Sequence, residues 1–180
     1  MKRYFVIFVT IGSILLGLAF LTGLEFLYTR SKTPNVAMPE QTRFTLHMGM
    51  ALAASLFTLL VHCIIFTYLL GTGKWVKEVA SAYGMPADGW PERAKQFKMR
   101  VNRWLLLAMF ITIAATVTGA GAQTDVNSWW AVAHPLLAVA VLFANGWAFR
   151  LEHAIIKENE VVLRSVKEEA DRMKGASEPQ

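Results

Sequence analysis

Cysteine is almost missing from this chain: Cys63 is the only one. A lone thiol rules out an internal disulfide and the paired spacings that hold zinc or an iron–sulfur cluster. No Glu-x-x-His pair occurs, so the ligand set of a di-metal carboxylate bundle is missing as well. Ser13 and Ser55 lack an accompanying histidine-plus-carboxylate set, and the adjacent Glu152 and His153 fall on different faces of a helix. These absences favour a protein that is not an enzyme. Charge is sparse too, at 17% of 180 residues against about 25% in soluble domains.

In place of charge there is hydrophobic residue, 54% of the total. It gathers in four blocks, Tyr4 to Tyr28, Phe44 to Leu70, Trp104 to Ala122 and Trp129 to Phe149. Each is near or above the roughly 20 residues a helix needs to span hydrocarbon. No block alternates with period two, and a barrel needs many more, shorter segments. The pattern predicts an all-α, four-helix transmembrane bundle. Its transmembrane domain covers residues 1–153, with helices at about 4–28, 44–70, 104–122 and 129–149, and an amphipathic connection at 73–103. A helical tail follows at 154–180. Met1-Lys2-Arg3 resembles the start of a signal peptide, but the apolar run behind it is too long and no clear A-x-A site follows, so a retained anchor is expected.

The net charge of +5 is placed by side. Lys2 and Arg3, seven basic residues from Lys74 to Arg103, and six from Arg150 to Lys174 make fifteen on one side; Arg30, Lys32 and Arg43 are three on the other. The positive-inside bias puts both termini and the 73–103 connection in the cytoplasm, as for a protein of a bacterial inner membrane. The basic surface then faces anionic lipid rather than nucleic acid.

Between the blocks, the first loop carries Pro34 and Pro39 and suits a short excursion. Trp75, Val76, Val79 and Tyr83 recur at helical spacing, as in an interfacial extension of helix 2. Gly84-Met85-Pro86 stops it, Asp88-Gly89 turns, and Pro91 with Glu92 opens a helix that runs into helix 3. Asn127 or Ser128 can cap helix 4, with Trp129 and Trp130 in an aromatic belt. In the tail, Ile156, Leu163, Val166, Ala170 and Met173 follow heptad spacing, and residues from Lys174 on read as a frayed end. No internal repeat is evident. Small residues four apart, including Ala19 with Gly23, Gly49 with Ala53 and Ala115 with Gly119, predict close helix packing.

Two polar stripes carry the functional interest. At 100° per residue, His134, Ala138, Val141, Asn145 and Glu152 share one direction on helix 4, and His47, Ala51, Ala54, Thr58 and His62 one on helix 2. Polar stripes do not face lipid, so the two are expected to face each other. His47 and His134 fall at similar depth, about 15 and 9 Å from mid-span, and can meet. His62 lies about 8 Å to the other side, and His153 near 20 Å on a different face, so these match poorly. His62 is better matched to Thr58, the Asn145 amide or a ligand. Pro135 cannot donate to the Ala131 carbonyl, leaving an acceptor beside His134.

Three functions follow from these residues. In the leading one the protein is a non-enzymatic accessory or assembly subunit that docks partner subunits through the basic connection and tail. In the alternative, His47 and His134 ligate a b-type haem for electron transfer, with Gly49, Ala51 and Ala138 giving it space, and His62 and Asn145 form an interior polar site. With two separated histidines on each of two membrane helices, the chain resembles the di-haem cytochrome b bundles over helices 2 and 4, which implies bis-histidine haem sites. A third function is a small proton- or cation-coupled transporter using Glu25, Thr112, Thr116 and Asn145.

Overall fold

The computed structural model describes residues 1–32, 40–86, 89–124 and 129–177. They form four α-helices, α1 (Lys2–Lys32), α2 (Glu40–Ala82), α3 (Trp90–Thr124) and α4 (Trp129–Ser177). Each is long and apolar enough to cross a membrane. The exterior is hydrophobic, as lipid requires: Phe110 is 70% exposed and Phe143 75%. The loop with Pro34 and Pro39, the Asp88 half of the expected turn, the Asn127 or Ser128 cap and the last residues of the frayed end lie outside the described residues.

The helices stand in a square in chain order, each packed against the next and α1 against α4. α2 and α4 also meet across the middle, whereas the backbones of α1 and α3 stay apart among the described residues. The expected amphipathic connection proves to be mostly a continuation of two spans. α2 runs unbroken to Ala82 and α3 begins at Trp90. Gly84, with φ of 66°, turns the chain out of α2, and the Met85 amide closes back onto the Ala80 carbonyl at 2.8 Å.

α4 likewise passes through residue 153 without a break; its 49 residues rise roughly 73 Å, far more than hydrocarbon thickness. Its far half lies on the extensions of α2 and α3. Val162 and Val166 pack with Val76 and Ala94, and Ala170 with Ala80 and Met85. Trp90 Nε1 donates to Glu169 Oε2 at 2.6 Å and Arg100 to Glu158 at 3.0 Å. The buried stripe is therefore Ile155, Ile156, Asn159, Val162, Val166 and Ala170, with Met173 exposed. Of the heptad positions Ile156, Val166 and Ala170 are buried and Leu163 is partly buried, and only Met173 fails, because the stripe meets two helices, α2 and α3, rather than a single partner.

The absence of a repeat is also corrected. The buried positions Phe5, Gly12, Leu16 and Ala19 of α1 recur 96 residues on as Val101, Ala108, Thr112 and Ala115 of α3. Those of α2, Ala54, Thr58, Val61, His62, Ile65 and Leu69, recur 87 residues on as Val141, Asn145, Ala148, Phe149, Glu152 and Ile156 of α4. The bundle is two like helical hairpins around a pseudo-two-fold axis between α2 and α4. Side-chain identity has diverged at most of these places, which hides the repeat from a search for similar letters.

Candidate functional site

On the axis, toward the bundle end that lies away from the tail, the two hairpins present their histidines. The ring centres of His47 and His134 are 6.2 Å apart, with planes at 64°. Both are seated by the same local sequence on the neighbouring helix, Ala19-Phe20-Leu21-Thr22-Gly23 on α1 and Ala115-Thr116-Val117-Thr118-Gly119 on α3. In each, the threonine hydroxyl donates to the alanine carbonyl three residues back, at 3.0 Å. In each, the glycine receives the ring: a β-carbon at Gly23 would stand 2.8 Å from His47 Cε1, and one at Gly119 2.8 Å from His134 Cε1.

The hydrogen bonds assign the tautomers. His134 Nδ1 lies 2.9 Å from the Ala115 carbonyl, which can only accept, so Nδ1 carries the proton. His47 Nδ1 lies 3.3 Å from the Thr22 hydroxyl, whose own proton goes to Ala19, so this Nδ1 donates as well. Each ring therefore offers Nε2 as its lone-pair nitrogen, the arrangement of a metal-ligating imidazole whose other nitrogen is held. Pro135 does not act as expected, since His134 bonds Ala115 of α3 and not the freed Ala131 carbonyl.

Both rings line a cavity of about 320 Å³, within the range of small-molecule sites. Ala51 and Ala138 line it, as expected for residues that make space. Gly49 does not; it is exposed, and a β-carbon there would meet no atom within 4 Å. Phe26 stacks over His47 at 6.4 Å, and Thr112 and Val141 lie toward the cavity's other end.

Beyond Thr112 a second polar group begins. Asn145 Nδ2 donates to Thr112 Oγ1 at 3.0 Å and to the Val141 carbonyl at 2.8 Å. These bonds fix the amide, so Asn145 Oδ1 faces His62 Nε2 at 2.9 Å and accepts from it. His62 Nδ1 meets Glu152 Oε1 at 2.6 Å. Asn145, His62 and Glu152 are at most 1% exposed, and Phe149 stacks on the His62 ring at 5.1 Å. Glu152 Oε2 and Thr58 Oγ1 are buried without partners.

The expected pairing of stripes is thus present at two levels, and the Asn145 amide is the partner His62 needed. Glu152 was on the stripe, yet its pairing with His62 was missed, because the tail's high charge made Glu152 look like the start of a solvated segment. The Ala-x-x-Thr-Gly segments were also missed, although their small-residue pairs were visible. His153 lies against Phe5, ring centres 6.0 Å apart, and is not brought to His62. Of the transporter residues, Thr112 and Asn145 meet, Thr116 bonds Ser55 at 3.0 Å on an exposed face, and Glu25 is exposed beyond the histidine pair. Among the described residues no group of three or more His, Cys, Asp or Glu is placed to hold a metal ion. No protein-family model, curated protein or solved structure matches the chain.

Proposed function

We propose that the protein is an integral membrane electron-transfer protein in which His47 and His134 would hold one b-type haem between α2 and α4. The observation that carries this reading is the like seating of two imidazoles about the pseudo-two-fold axis. The two ring centres are 6.2 Å apart, so one iron held between the rings would reach both imidazoles. A porphyrin carries four nitrogens of its own and needs only these two ligands, one from each hairpin. Its two faces then meet like surroundings, which suits a cavity built by a repeat. Two histidines fill the iron's coordination, so the chemistry supplied is electron transfer rather than oxygen activation.

The charge bias supports a bundle with both termini in the cytoplasm, and in that orientation the histidine pair would lie toward the outer face of a bacterial inner membrane. The accessory-subunit reading draws less support, because the apolar stripe of the tail is spent on α2 and α3 within the chain. So does the transporter reading, because Glu25 lies outside the cavity that Thr112 and Thr116 line.

The test is a reduced-minus-oxidised optical spectrum of the protein purified in mild detergent after haem-replete expression. Haem bands that disappear in His47→Ala and His134→Ala are expected. A colourless wild-type preparation overturns the reading.

A further inference from the structure

Resting on that reading, we propose that His62 and Glu152 form a proton-binding site whose occupancy follows the redox state of the group held by His47 and His134. The argument starts where the two hairpins differ. At equivalent places the repeat carries His62 against Phe149, Glu152 against Ile65, and Thr112 against Leu16. These three polar members of the network thus have apolar counterparts buried in the same fold, while Asn145 corresponds to the polar Thr58. Packing is satisfied by phenylalanine, isoleucine and leucine, so it does not demand the polar set, and a buried ion pair is a poor source of stability. Ionisable groups kept in a membrane interior mark proton or ion sites.

The hydrogen bonds define what the site holds. Asn145 Oδ1 accepts from His62 Nε2, so that nitrogen keeps its proton. At 2.6 Å, His62 Nδ1 and Glu152 Oε1 cannot both present lone pairs, so one further proton sits between them. The pair then has no net charge, whether written as imidazole with carboxylic acid or imidazolium with carboxylate. Losing that proton leaves one negative charge in a low-dielectric interior. Among the described residues no other charged group acts on the pair. α1 and α3 offer Phe5, Val101 and Leu105 to the same core, α2 offers Ile65, and Lys2 and Lys157 act on His153.

With the group at His47 and His134 loaded, His62 and Glu152 would take up one proton from tail-side water, between Nδ1 and Oε1, for each electron that group gained from an external one-electron reductant. They would release it when that electron left, so the interior's total charge would be the same in each state. Thr112 and Asn145 link the pair to the cavity. On the tail side the next polar cluster is Asn159, which donates to Tyr68 Oη and Thr72 Oγ1 at 3.1 Å each.

The experiment is a redox titration of the haem-loaded protein between pH 6 and 8 (roughly the neutral range). The wild-type midpoint potential is expected to fall as pH rises, by part of the about 59 mV per unit that one-proton, one-electron coupling allows. Glu152→Gln and the double variant His62→Phe/Glu152→Ile, the latter built from the repeat's own apolar residues, are expected to keep haem and lose the slope. A haem-bound wild type with a flat potential overturns this inference alone, as does a slope that survives in both variants. A colourless wild type overturns the electron-transfer reading and the coupling with it.

Discussion

Gly23 and Gly119 are irreplaceable for a reason of distance. A methyl group at either would sit 2.8 Å from an imidazole carbon, and the ring it meets is tethered through Nδ1, so it has to give up its tether to move. Gly23→Ala and Gly119→Ala are each expected to fold yet lose most of the haem absorbance, read from the reduced-minus-oxidised spectrum. The two tethers also differ. His47 has the Thr22 hydroxyl as well as the Ala19 carbonyl within reach, whereas His134 has the Ala115 carbonyl. Thr22→Val is therefore expected to weaken haem retention by up to about 10-fold, the low end of the usual effect of removing one of a ligand's hydrogen-bond partners, while Thr118→Val changes it little. Haem-transfer assays to an apo acceptor separate the two. His47 and His134 were legible from periodicity and depth alone, since both obey the helical repeat. Their anchors were not, because a carbonyl of another helix has no signature in the chain that it holds.

The elements owe their lengths to different devices. α2 continues well past its apolar block because Val76 and Ala80 keep the stripe facing inward, and it ends where Gly84 adopts a left-handed conformation. Gly84→Ala is expected to cost about 1–2 kcal/mol, seen as a lower midpoint in thermal denaturation. The far half of α4 stays helical beyond the membrane because it has α2 and α3 to cover it. Val166, 0% exposed among Val76 and Ala94, holds that contact. Val166→Asp is expected to strip the tail from its neighbours, exposing residues beyond about 157 to protease while the four spans and any haem survive. The spans themselves were plain in the sequence, as apolar length allows little else. The tail's partner was not, because heptad spacing tells that a helix packs, without telling on what.

At the scale of the molecule, the chain behaves as two hairpins joined between α2 and α3. Each hairpin brings one histidine, one Ala-x-x-Thr-Gly seat and the same buried positions. Residues 1–86 and 89–180 expressed as separate chains are expected to co-purify and to show haem bands together, whereas either alone, with a single axial histidine, shows none of the bis-histidine spectrum. Sequence letters concealed this design. Only a few of the paired positions kept their residue, and what persisted was which positions are buried.

A near-symmetric slot has a further result for an unsymmetric disc. On the haem reading, haem b turned over about the axis would still offer a face to each histidine, and the pocket would distinguish the two insertions only where the hairpins disagree, as at Leu16 and Thr112. Newly loaded protein should therefore be a mixture of rotational isomers, visible as doubled haem-methyl resonances that drift slowly toward one form.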